Sequence, residues 1–367
     1  MRKFFALPPG IWLGALTLLG LGLFRMFPFL TEYLYSRGIF PILRMVLDYT
    51  VGLLPFPLVY LIFAALLFGL GRRILRRLRE RPQRSWKEKF KVAALNLGNL
   101  IGWVLFAFFV SWGYNYSRIP VEKYLELESR PLSAEDLKEE IEWALERAAF
   151  ARESIQGVDS NAVDYHLFTL DRESLLRNQL AKVLNEFGYP AWGRVRTKNL
   201  YPSAILPGLG LSGMYVPFAG ESYVAGDLPI LKKLPTTVHE MSHGYGFGDE
   251  GTCNFWAFLT CISMDEPMVR YAGYLEYWRY LAREYYKADP EAYYQHRSCL
   301  SVGMENDLDL IRLYNQQYRS WLSGLSSKVN NLYLKIQGVK EGVLSYSRVV
   351  VLVHAFREKY PDWAGYR

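Results

Sequence analysis

HEMSHGYGFGDEGTCNF, residues 239–255, contains two of the chain's five histidines, four glycines and four acidic or amide residues. Its reading decides what the second half of the chain is. HEMSH fits the pattern HExxH. On a helix, residues i and i+4 share a face, so His239 and His243 can bind one Zn²⁺ through their rings. Glu240 stands about 100° round the helix from His239. From there it reaches a water at the metal without ligating the metal, and it can take that water's proton as general base. Pro235 suits a first helical turn, so this helix is expected over about 235–244.

A catalytic zinc takes a third protein ligand and keeps its fourth position open. Two carboxylates follow His243 after Gly244-Tyr245-Gly246-Phe247-Gly248, where three glycines permit a sharp reversal back to the metal. Asp249 completes HExxHxxGxxD, a metzincin-like spacing. Glu250 opens ExxxN, which resembles the gluzincin arrangement: a Glu on the next helix closes the site, and Asn254, one turn on, supports a ligating histidine. Asp249 has another use as N-cap of that second helix. This favours Glu250 and keeps Asp249 as the alternative.

Outside this stretch the apolar residues are segregated. The 367-residue chain is 51% hydrophobic and 16% aromatic, and residues 4–24, 49–71 and 92–117 carry no charge. Each run matches the roughly 20 residues a helix needs to cross a bilayer. Arg2 and Lys3 precede the first run, but no small-residue cleavage site follows it, so it is read as a retained span rather than a signal peptide. The apolar surroundings of HEMSH are too short for a span, which keeps that site out of the membrane. The net charge of +7 is located in residues 72–91, which hold ten basic and two acidic residues. A short basic loop between spans marks the cytoplasmic side and is preferred here to a nucleic-acid surface. The expected organisation is a membrane domain, 1–117, with helices at about 4–27, 49–71 and 92–117. The basic loop 72–91 lies inside, residues about 28–48 outside, and 118–367 form an extracytoplasmic domain. Arg37 and Arg44 in the outer loop oppose this orientation weakly. Trp112, Tyr114 and Tyr116 suit an interfacial belt, with Pro120 ending the third helix.

Residues 118–367 read mostly as helix. Ser133 and Asp136 form a capping box for a helix to about Ser154, and Asp171 opens another that Gly188 closes. Strand-like material is confined to residues 195–201 and to GMYVPFAGESYV, 213–224; further helices are expected near 250–264, 267–287, 304–323, 326–336 and 344–359. GLGLSG, 208–213, satisfies GxGxxG but has Pro207 before it and a β-like run after it, so it is a turn and not a dinucleotide site. Cys253, Cys261 and Cys299 make no disulfide framework; the first two, eight apart on one helix, lie about 12 Å apart along its axis. Candidates to stabilise an oxyanion are Tyr346, Arg348, Tyr274 and His296. His166 and His354 belong to no motif and are read as structural.

The sequence resembles a family of uncharacterised bacterial membrane proteins, a domain of unknown function with three N-terminal spans and a zincin-like domain. WGYNYSRIP at 112–120, SGMYVPFAGE at 212–221, the HEMSH stretch, RYAGYL at 270–275 and NNLYLKIQGVKEGVLSYSRVV at 330–350 carry the resemblance. The family usually has Glu-Asp-Glu-Ala-Asn where this chain has Glu250-Gly251-Thr252-Cys253-Asn254. That keeps the first Glu and the Asn, and so supports Glu250 as ligand. The resemblance implies a mainly α membrane protein with three N-terminal transmembrane helices and a mostly helical zincin-like α+β domain. The expected function is a membrane-anchored zinc metallopeptidase acting on peptide or protein substrates. Its zinc would be held by His239, His243 and Glu250, with Glu240 and Tyr346 as catalytic groups. In zincins an edge strand before the metal helix pairs with extended substrate, and 213–224 stands in that place. The rival expectations are a non-catalytic sensor or scaffold binding peptide or wall material, and a zinc hydrolase for other amides or esters.

Overall fold

The computed structural model describes residues 7–80, 85–168, 170–318 and 348–366. The chain is mainly helical and divides into two compact units: residues 1–118 with Val216–Gly220, and residues 119–215 with 221–367.

The first unit has three helices long and apolar enough to cross a membrane, Pro9–Met26, Leu58–Arg76 and Trp86–Ser111, which suggests membrane association. All three are displaced from the expected 4–27, 49–71 and 92–117. The first starts at Pro9, with Pro8 at its N-cap, because proline is well placed in a first turn and poorly placed deeper in. The second starts only after Pro55 and Pro57 and then runs on through the arginines to Glu80. The third begins at a Ser85–Glu88 capping box and ends at Ser111, nine residues before Pro120. The expected basic loop is therefore largely the ends of two helices. Trp112 and Tyr114 are buried, rather than forming an interfacial belt.

The first and third helices pack closely through glycine. A Cβ on Gly102 would fall 1.8 Å from the Gly10 carbonyl oxygen, and the Gly10 N–H donates to Asn99 Oδ1 at 2.8 Å. Small residues at such crossings let backbones approach and gain packing that lipid cannot supply. The expected outer loop 28–48 is instead helical, with a π-helix at Thr31–Ile39 and an α-helix at Phe40–Asp48. Its cations are paired: Arg37 binds buried Glu32, which Arg118 also binds, and Arg44 binds Asp48.

In the second unit the capped helix Ala134–Glu153 packs along the 22-residue helix Pro267–Ala288. Between them lie Ile141, Ala144 and Ala148, all without exposed surface. Residues 251–262 of the helix Glu250–Ile262 are buried on every side, as an apolar helix at the centre of a core must be. Cys253 and Cys261 are free and buried within it. A small sheet has the order β1 (Arg196–Leu200), β3 (Glu221–Ala225), β2 (Gly213–Val216), with β1 and β3 parallel. The stretch expected as one strand at 213–224 is thus two strands joined by a turn. Glu221 is structural, bonded to Lys198 and to the Tyr223 hydroxyl. The helix expected at 326–336 lies outside the described residues; before it come the helices Pro290–Arg297 and Val302–Gln317.

His354 and Arg357 close over the buried carboxylate of Glu140, with His354 Nδ1 2.9 Å from it. That hydrogen bond raises the ring's basicity against a smaller opposing effect of burial. The folded-state value exceeds the unfolded one, so the bonus is complete below about pH 6.5 and is lost as pH rises through the folded value. Only a fraction of a proton is exchanged between the folded and unfolded states at any one pH, so the slope stays below the roughly 1.4 kcal/mol per pH unit of one whole proton. We expect the urea midpoint in detergent to fall between pH 6 and 8, with His354→Gln removing part of that fall. An unchanged pH dependence in the variant would refute the assignment.

Candidate metal centre

The HExxH helix spans Ile230–Gly244 and starts earlier than expected. Pro229 is its N-cap residue and Pro235 lies inside it, not in its first turn. An internal proline removes one intrahelical donor, and just after that gap in the ladder the hydroxyls of Thr236 and Thr237 bond the carbonyls of Lys232 and Lys233. The helix ends where Gly244 meets Val195: a Cβ there would lie 2.5 Å from Val195 Cγ1. Gly246, at φ +87°, then reverses the chain in a conformation glycine adopts freely.

The reversal delivers Asp249 and Glu250 to different tasks. Asp249 Oδ1 caps the second helix, accepting from the Thr252 N–H at 2.7 Å and its hydroxyl at 2.8 Å. It also pairs with Arg348 at 2.7 Å, and Arg348 in turn binds Glu122. Glu250 turns to the histidines. Its Oε2 lies 3.1 Å from His239 Nε2 and 3.7 Å from His243 Nε2. Among the described residues these three form the one cluster of His, Cys, Asp or Glu with metal-ligand geometry.

The donor set fits a zinc ion. Donors about 2.0–2.1 Å from one tetrahedral zinc stand about 3.3 Å apart, and the separations of 3.1 and 3.7 Å bracket that value. Both rings are also held in the tautomer that frees Nε2. His239 Nδ1 is 2.7 Å from Asn254 Oδ1, and His243 Nδ1 is 2.8 Å from the Phe247 carbonyl. An acceptor at Nδ1 keeps the proton there and leaves the Nε2 lone pair for a metal.

Electrostatics sort the two glutamates. Burial works against charge on Glu250, but His243 and His239 outweigh it and hold the carboxyl well below its ordinary range. Burial likewise works against charge on His243, and Cys253 and Glu250 outweigh it, so the ring is more basic than usual. Burial pushes the Cys253 thiol up to about 11, so the anion that His243 meets is Glu250. Glu240 is raised by burial, against the pull of both imidazoles. It makes no side-chain hydrogen bond among the described residues and faces a cavity of about 370 Å³. A Cβ on Gly213, the first residue of β2, would fall 2.6 Å from Glu240 Cγ. Glycine at that position makes room for the carboxylate.

The other expected residues are placed elsewhere. Tyr346 lies outside the described residues. Tyr274 is buried against Trp143 and Phe258, Arg348 is committed to Asp249 and Glu122, and His296 accepts from Trp278 Nε1 at 3.1 Å. His166 is exposed. One residue that sequence reading passed over is Tyr280, which lines the cavity with His239 and Glu240 and whose phenol senses the charge of Glu250. Its signal is a polar face, Glu276, Arg279, Tyr280 and Arg283, at helical spacing on the largely buried helix Pro267–Ala288.

Residues 35–354 match the family model described as protein of unknown function (DUF3810). No curated protein and no solved structure matches the chain.

Proposed function

The chain belongs to the DUF3810 family of proteins of unknown function, and from the geometry of its site we propose that it is a membrane-anchored zinc metallopeptidase with a zincin-like catalytic domain outside the cytoplasmic membrane. The observation that carries this reading is the convergence of His239 Nε2, His243 Nε2 and Glu250 Oε2, with both Nδ1 atoms tied to acceptors. Those three residues would hold the ion. Zinc in such a site supplies Lewis acidity and makes water deprotonable near neutral pH.

The chain's own groups supply the rest. Glu240, held on the cavity wall and raised by burial, takes a proton from water and passes it to the leaving amine. β2 is an end strand of the sheet among the described residues, and beside it, at Ser212 and Gly213, the cavity can take an extended peptide. Burial keeps the Tyr280 phenol protonated, and it donates to the oxyanion that develops on the scissile carbonyl. Tyr280→Phe should lower kcat by about 10²-fold with little change in zinc content. A kcat within twofold of wild type would remove Tyr280 from this role.

The test of the function as a whole is metal removal. The detergent-solubilised full chain should hydrolyse unstructured peptides, lose that activity to a chelator and regain it with one equivalent of zinc. Hydrolysis that survives complete metal removal, or none across a broad peptide library with zinc bound, would overturn the proposal. The second outcome would point to a binding module.

A further inference from the structure

The cavity beside the proposed metal site has one strongly cationic wall. On the helix Pro267–Ala288, Glu276, Arg279, Tyr280 and Arg283 stand at i, i+3, i+4 and i+7 and so share a face. On the HExxH helix, Lys232, Thr236, His239 and Glu240, at i, i+4, i+7 and i+8, line the same space. Arg279 binds Glu276, and Lys232 Nζ gives one hydrogen bond to Asn315 Oδ1 at 2.9 Å. Arg283 has no ion pair among the described residues and is exposed. Three cations thus line the cavity with two carboxylates, Glu276, which Arg279 binds, and Glu240. Burial, and then Arg279, push Lys232 down to about 8, and an anion seated here would offset both by stabilising the charged ammonium. Guanidinium groups favour a carboxylate, which they can bind in bidentate fashion.

Distance turns this charge into a specificity. Lys232 precedes His239 by seven residues, about 10 Å along the helix axis. An extended peptide covers that in about three residues. We propose that Lys232, Arg279 and Arg283 form a subsite for a peptide's terminal carboxylate, so that cleavage falls about three residues from a free C-terminus and releases short peptides. This rests on the metallopeptidase reading and adds the substrate's end group to it.

The test separates the two. Binding of a hexapeptide to zinc-loaded full-length Glu240→Gln protein is compared for the free acid, the C-terminal amide, and an amide with Glu as its last residue. The free acid should bind at least about tenfold tighter than the plain amide, and in Arg283→Gln the ratio should fall toward one. Recovery of affinity by the terminal Glu would show that a side-chain carboxylate also fills the subsite. Equal binding of acid and amide, or a ratio unmoved by Arg283→Gln and by Lys232→Gln, would overturn the subsite even if wild-type protein hydrolyses peptides. Discrimination without hydrolysis by wild-type protein would instead keep the subsite and fail the peptidase reading.

Discussion

Glu240→Gln should lower kcat/KM for peptide hydrolysis by about 10³-fold while zinc content stays at the wild-type level. The substitution keeps shape and volume and removes only the capacity to take a proton. Glu240 is not one of the three clustered donors; those are His239, His243 and Glu250. Its carboxylate sits over Gly213, where a side chain would displace it, and Gln occupies the same space. Loss of activity with retained metal is therefore the signature of a general base. Activity within a few fold of wild type would mean that another group moves the proton, and loss of zinc would mean that Glu240 holds the site together.

The second large effect separates the neighbouring carboxylates. Glu250→Ala should take bound zinc from about one per chain to nearly none after dialysis, because two imidazoles alone do not make a structural or catalytic zinc site. Asp249→Ala should keep the zinc and cost about 1 kcal/mol or more of stability, the worth of an N-cap. Asp249 spends its Oδ1 on the Thr252 N–H and hydroxyl and on Arg348, and it is absent from the donor cluster. The reverse pattern, zinc lost with Asp249 and kept with Glu250, would assign the site to the metzincin-like spacing instead.

Much of the architecture was legible because it depends on local chemistry. Charge-free runs mark the three apolar helices, and the Ser133–Asp136 box marks a helix start that the structure reproduces. HExxH, three glycines and a carboxylate pair foretell two helices meeting at a turn. What the sequence hid depends on proline placement and on contacts distant in the chain. Pro235 reads as a first-turn residue, yet the helix begins at Ile230, since burial of Ile230, Leu231 and Leu234 outweighs one missing donor. Pro55 and Pro57 delay the second apolar helix past an uncharged stretch that looked continuous. Tyr280 and Arg283 escaped notice because nothing in RYLAREYY ties them to a motif more than thirty residues earlier. Only the packing of the helix Pro267–Ala288 against the HExxH helix brings them to one cavity.

The central claim is a zinc site with two imidazoles, one carboxylate and one open position. X-ray absorption at the zinc edge of the purified full chain tests it most directly. The account predicts one zinc per chain with two nitrogen donors and oxygen donors, all at about 2.0–2.1 Å, and one oxygen exchangeable for a small inhibitor. Sulfur donors at about 2.3 Å, or a protein that binds no zinc at neutral pH, would contradict it.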